Sequence, residues 1–286
     1  MKCRYSFEFF PPKSSSSSLA LDTCLAVLEP WKPEFCSMTY GAGGSSQAES
    51  FSAVQRLQKR GHIAAAHITA VGASKLEVNQ SAQAFAEAGV DHLVAIRGDS
   101  PSGMFTPHAK GYAYGADLVA GLRRWFDGTI SVAAYPETHP EAVSASADIE
   151  HLAKKVAAGA SQIMTQYCYH TDTLLRFADG IRGRAINLAD GPDVPVVVGI
   201  MPIHNIQAIQ RFSARCGATV PAYIVAQFDR LSDSDDQFQL ALEIALKQIE
   251  RLAGEGLDQV HLYTLNRPQW VRGILQQLAH TSTNSG

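Results

Sequence analysis

From one end of the sequence to the other, short apolar or β-branched runs alternate with amphipathic stretches. Strands are predicted at 5–10, 34–40, 62–69, 91–97, 129–135, 161–166, 194–200, 222–228 and 259–263, with helices between them at 19–28, 47–59, 75–88, 115–125, 140–157, 171–181, 205–215, 234–252 and 268–279. Ser74, Asn205 and Ser232 stand where N-caps belong. Gly61, Gly89, Gly159, Gly217 and Gly256 follow helical periods, where a left-handed C-cap is wanted. Strands joined by helical crossovers are parallel. Eight or nine such units in 286 residues, with no stretch of linker composition, predict one α/β domain over 1–286, a closed (β/α)8 TIM barrel rather than an open sheet. Nine strands are one too many for that fold, so one is extra or misassigned. The serine run 14–18 reads as a mobile first loop and 281–286 as a disordered tail.

Composition narrows the classes of function. With 46% apolar and 18% charged residues the chain can bury a sizeable core. A net charge of −3 gives no field that draws nucleic acid or an anionic membrane, and no apolar run reaches the roughly 20 residues of a membrane helix. Lys2 and Arg4 have no apolar stretch behind them, so no signal peptide is expected. The five cysteines, Cys3, Cys24, Cys36, Cys168 and Cys216, are scattered without metal-binding spacing and read as reduced and packed. A cytoplasmic protein without a bound metal is the expectation.

In such barrels the active site lies where strands end and βα loops begin. Those ends are rich here: Glu8 in "FEFFPP", then "TYGAGGS", "HIT", "RGDSP", "YPETHPEA", "TQYCY" and "YTLNRP". The opposite turns, such as "EAGVD" and "AAGAS", are plain. That asymmetry predicts a large ligand site on one face. Glu8 is either an outward strand residue or a working acid; buried, it would favour its neutral form, as a general acid requires. "GAGG" is a flexible loop or a close approach to a ligand, but it has neither dinucleotide nor phosphate-loop spacing. Arg97 and Asp99 are an ion pair or part of the site. His67 is a core histidine or a ligand contact, and His139 a loop residue or another. Asp148, His151 and Lys155 share a helical face by their spacing, and that face either meets solvent or supplies cations to a pyrophosphate.

Taken together, "FEFFPPK", "TYGAGGS", "HIT", "VAIRGDSP", "YGADLV", "SVAAYPETHPEA", "KKVAAGASQIMTQ", "VPVVVGIMPI", "FDRL" and "HLYTLNRP", in this order over about residues 5 to 270, resemble the catalytic domain of the 5,10-methylenetetrahydrofolate reductases. The resemblance implies a (β/α)8 flavoprotein of one-carbon metabolism and methionine biosynthesis. Such an enzyme uses NADH or NADPH to reduce FAD and passes a hydride to the folate by ping-pong kinetics. It gives Glu8 the role of general acid for opening the imidazolidine ring, and Asp99 a catalytic role beside flavin and pterin. To FAD it assigns Thr39, His67, Arg97, Gly98, Asp99, Tyr114, Gly115, Tyr135, His139, Asp148, His151, Lys154 and Lys155. To the folate it assigns Asp99, Gln166 and Arg267, with Phe228 as a stacking wall. His151 and Lys154 stand where the family pattern has Asn and Arg, and Gln227 is displaced by one position. A homo-oligomer, dimer or tetramer, is implied. The alternatives are a flavin-free reductase with direct hydride transfer and a non-catalytic folate-binding barrel.

Overall fold

A computed structural model describes residues 3–40, 46–98, 106–184, 186 and 193–283. Along the chain it places β1 (Arg4–Phe9), α1 (Ser15–Leu28), β2 (Cys36–Met38), α2 (Gln47–Lys59), β3 (Ala64–Thr69), α3 (Lys75–Glu87), β4 (His92–Ile96), α4 (Gly115–Arg123), β5 (Thr129–Ala134), α5 (Ala145–Ala157), β6 (Gln162–Thr165), α6 (Thr171–Gly183), β7 (Val196–Ile200), α7 (Ile206–Cys216), α8 (Ala222–Phe228), α9 (Ser234–Gly254), β8 (Gln259–Tyr263) and α10 (Pro268–Thr283). Each strand pairs in parallel with the next, and β8 closes on β1, so the eight form the expected (β/α)8 barrel.

Alternation along the strands sorts side chains between two cores. In β1, Phe7 and Phe9 face the helices and join a core with Leu21, Leu25 and Leu262. Burying each ring is worth roughly 1.5–3 kcal/mol. Ser6 and Glu8 face the opposite way, into the barrel. The interior holds a small apolar layer of Phe35, Ala65, Val94, Met164 and Val197. Buried polar residues also lie on the strands: Ser6 on β1, Ser37 on β2, His92 on β4, Ser131 on β5 and His261 on β8.

The ninth predicted strand, 222–228, is helix α8. Its buried residues Ile224 and Phe228 are four apart, the spacing of one helical face, and Pro221 caps its start. The serine run is not a loop either. Ser14 caps α1 by accepting from the Ser17 backbone N–H, and the Ser17 hydroxyl returns a bond to the Ser14 backbone, so residues 15–18 form the first turn. Asp233 rather than Ser232 caps α9, and Ser144 delays α5 to Ala145. Helix α10 continues to Thr283, past its expected end at 279. All five predicted C-cap glycines have positive φ. The cysteines are free, four of them buried and Cys216 partly so. Among the described residues no helix is long and apolar enough to cross a membrane.

Candidate active site

Glu8 is the penultimate residue of β1, paired in register with Ser37 on one side and Tyr263 on the other. It is 8% exposed. Its Oε2 lies 3.7 Å from His67 Nε2 and 3.8 Å from His261 Nε2, too far for direct hydrogen bonds but close enough for one small rotation or one water. His67 Nε2 is buried and has no hydrogen-bond partner among the described residues. Burial pushes the His67 pKa down to about 4, with Glu8 opposing and His261 assisting, so the ring is neutral at pH 7. His261 is held on both sides, Nδ1 by Ser6 Oγ at 2.7 Å and Nε2 by Ser37 Oγ at 3.1 Å. Deeper in the barrel, His92 Nε2 meets Ser131 Oγ at 2.7 Å, and Ser131 donates to Gln162. Phe35 packs against both His92 and His261.

A second cluster gathers where β4 and β5 end. Arg97 pairs with Glu141 at 2.6 Å. The rings of Tyr135 and His139 meet edge to face at 4.6 Å. Asp148, in the first turn of α5, accepts the backbone N–H of His139 at 2.8 Å and so fixes the loop to the helix. Two turns further along α5, Lys155 turns inward and donates to Ala133 O at 2.8 Å. Burial lowers its pKa to about 8; Asp148 opposes that shift and Arg97 adds to it. Gly115 opens α4 against this lysine: a Cβ there would stand 3.2 Å from Lys155 Cε. Asp148 and Lys155, two of the three residues expected to share a helical face, thus lie within electrostatic reach of one another without a direct hydrogen bond between them among those described. His151 and Lys154, on the same helix, are exposed and stand outside the cluster.

Thr39 follows β2 and is buried, its Oγ1 without a partner among the described residues, while its backbone bonds Phe9 and Ser50. Gly98 follows β4 with φ +85°, and a Cβ on it would meet Val71 Cγ1 at 2.5 Å. Tyr114 caps α4 and is exposed. Gln166 follows β6, its Oε1 accepting from Tyr167 N–H at 3.1 Å. Arg267 is exposed on the turn after β8. Phe228 is not a free wall. It is 3% exposed, packed with Met201, Ile203 and Ile224 because the α8 face that carries it is the buried one. Gln227, its neighbour, is exposed. Asp99 and the glycines of "GAGG" lie outside the described residues.

Sequence reasoning missed His261, Tyr263, Glu141 and His204. Tyr263 points inward beside Glu8, and its phenol is driven well above the usual range by burial first and then by Glu8. His204, after β7, has a buried Nδ1 with no described partner; burial, and then the charge of Arg267, hold its pKa down. The period-two pattern of "QVHLY" is the signal that could have placed His261 and Tyr263 on the barrel face.

Residues 1–279 match the family model for methylenetetrahydrofolate reductase. The 5,10-methylenetetrahydrofolate reductase of Pectobacterium carotovorum is 38% identical over 275 residues, covering 96% of this chain and 89% of that protein. The Escherichia coli enzyme of the same name is 37% identical, with 96% and 90% covered. An Arabidopsis thaliana relative, methylenetetrahydrofolate reductase (NADH) 1, is 32% identical over 96% of this chain but only 48% of its own length. Among solved structures, an uncharacterised Clostridium thermocellum protein that binds two copies of 5-methyl-5,6,7,8-tetrahydrofolic acid superposes with a TM-score of 0.67 at 13% identity, covering 96% of this chain and 93% of its own; the likeness is one of fold.

Proposed function

Because this chain belongs to the methylenetetrahydrofolate reductase family, an oxidoreductase family, we propose that it reduces 5,10-methylenetetrahydrofolate to 5-methyltetrahydrofolate with a reduced nicotinamide, through bound FAD, and that Glu8 is its general acid. The observation that carries this reading is the Glu8 carboxyl, turned into the barrel at the C-terminal end of β1 and shielded from water by its neighbours.

The chain's own residues suit a flavin. Thr39 Oγ1 and His67 Nε2 are buried polar atoms without described partners, so a ligand's polar edge would satisfy them. Gly98 and Gly115 leave backbone open where any side chain would collide with Val71 or crowd Lys155. Lys155 and Arg97 bring positive charge to the same end of the barrel, and Tyr135, His139 and Asp148 frame it. When bound, FAD would carry hydride from the nicotinamide to the folate.

The folate must first open its five-membered ring, which requires a proton on the departing nitrogen, N10. Glu8 would supply it, directly or through one water, from its buried place beside His67. Gln166 would bond the pterin edge and Arg267 the folate's acidic end. Asp99 would favour the cationic iminium that ring opening leaves. Glu8→Gln holoenzyme tests the reading. It should lose folate reduction while still oxidising reduced nicotinamide with a quinone, a reaction that needs no proton on N10. If both reactions persist, Glu8 is not the acid.

A further inference from the structure

Past the end of the β1–β8 ladder, the turn that follows β8 reaches across to the chain that carries Glu8. The Thr264 hydroxyl donates to Glu8 O at 2.6 Å, and the Thr264 backbone N–H points to the same oxygen at 3.2 Å. Asn266 then pairs with Phe10 through both arms of its amide: Oδ1 accepts the Phe10 N–H at 3.0 Å and Nδ2 donates to Phe10 O at 2.9 Å. The turn is itself bonded, Asn266 N–H to Thr264 Oγ1 at 3.1 Å and Arg267 N–H to Thr264 O at 2.8 Å. To make these contacts Leu265 and Asn266 adopt φ of 49° and 53°, the left-handed region, one after the other. Non-glycine residues stay there only when their surroundings hold them, although Asn tolerates it better than most.

Pro11 and Pro12 follow Phe10 and offer no N–H, so the sheet cannot continue in that direction. Only a side chain with an acceptor and a donor in one plane can close both groups of Phe10, and Asn does so at the shortest reach. We propose that Asn266 is a positioning residue for the reaction: by locking Phe10 it fixes the direction of the Glu8 side chain relative to Arg267, the next residue on the same turn. The proposal rests on the reading of Glu8 as the acid.

The test uses holoenzyme carrying Asn266→Gly or Asn266→Asp, with folate reduction, quinone-linked oxidation of reduced nicotinamide and Tm measured on each. Glycine keeps the left-handed turn and loses both amide bonds. Its kcat for folate reduction should fall roughly tenfold or more, as a misdirected group requires, with the quinone reaction within about twofold of wild type and the KM for the nicotinamide unchanged. N266D sets a carboxylate against Phe10 O. Once protonated, that carboxyl accepts and donates as the amide does, so folate reduction relative to wild type should recover as pH falls from about 8 toward 5. Full folate reduction in both variants overturns the proposal, and so does parallel loss of the two reactions or a pH-independent N266D defect. A Glu8→Gln enzyme that still reduces folate overturns the reading of the acid and this proposal with it. An inactive Glu8→Gln beside fully active Asn266 variants overturns the proposal alone.

Discussion

His261 Nε2 stands 3.8 Å from Glu8 Oε2, and its ring is locked by two serine hydroxyls from the strands that flank it on one side of the barrel. One arrangement of protons satisfies every group. Ser6 donates to Val260 O and accepts Nδ1–H, and Ser37 donates to Nε2. The single lone pair of Nε2 is then held by Ser37 Oγ at 3.1 Å, so a protonated Glu8 carboxyl, 3.8 Å away, reaches it only by displacing that hydroxyl.

His261→Phe keeps a ring against Phe35 but leaves the Ser37 hydroxyl buried without its partner and the Ser6 hydroxyl with Val260 O alone. It should cost roughly 1–3 kcal/mol of stability, read from denaturant midpoints. Folate reduction should fall about tenfold, the order that one lost hydrogen-bonding group commands, while the quinone reaction holds. Equal decline of both reactions would make His261 a packing residue only.

The buried histidines also predict how stability depends on pH. Burial lowers the pKa of His67 to about 4 and that of His92 to about 3, from an unfolded value of 6.5. Between these limits the unfolded chain binds more protons than the folded one, so stability rises with pH. The contribution is complete above pH 6.5 and is lost as pH falls through 6.5 toward 4, on the order of 3 kcal/mol for His67. His92, whose Nε2 is bonded to Ser131, is the cleaner test because it lies below the site. His92→Gln should flatten the slope of unfolding free energy against pH between 6.5 and 4. A slope unchanged from wild type would mean that other groups set it.

The barrel was legible because helical and strand periods alternate, and period carries fold class. The exception, 222–228, is rich in apolar and β-branched residues, and only the four-residue step from Ile224 to Phe228 separates it from a strand. The Ser14–Ser17 cap was hidden because a serine run reads as low complexity, although the Ser14 and Ser17 hydroxyls both meet backbone groups in the first turn. Glu8 announced itself as a charge among rings before two prolines. Its neighbours did not: His261 looks like any histidine in an apolar strand, and the Asn266 contact to Phe10 joins residues 256 apart. Local pattern cannot encode such a pairing, because closure of β8 on β1 creates it.

Lys155, His151 and Lys154 lie within five residues on α5, yet their surroundings differ. Lys155 is turned inward to Ala133 O and packed over Gly115, while the other two face solvent. Lys155→Ala should therefore purify with less flavin and release it with a dissociation constant raised about tenfold or more, the worth of one charged hydrogen bond. Lys154→Ala and His151→Ala should change it by less than about threefold, as exposed charges do. Flavin content by absorbance and fluorescence titration of the stripped protein would decide it, independently of turnover. A larger effect from Lys154 than from Lys155 would mean that the exposed face, not the inward amine, meets the phosphates.

Gly98 closes the set, because two separate constraints fall on it. Its φ of +85° is strained for any L side chain, and a Cβ would press on Val71 Cγ1 at 2.5 Å and on Thr69 Cβ at 3.3 Å. Gly98→Ala should cost roughly 1–3 kcal/mol of stability, through backbone strain and the shift forced on Val71. Gly61, also at positive φ but with nothing within 4 Å of an added Cβ, carries the strain alone. Gly61→Ala should cost about 1 kcal/mol and leave flavin binding untouched, whereas Gly98→Ala should weaken flavin retention as well, since it displaces the residue next to Arg97. Thermal unfolding and flavin content of the two variants, measured side by side, check both parts. Equal loss of stability with full flavin in both would show that Gly98 answers to backbone geometry alone.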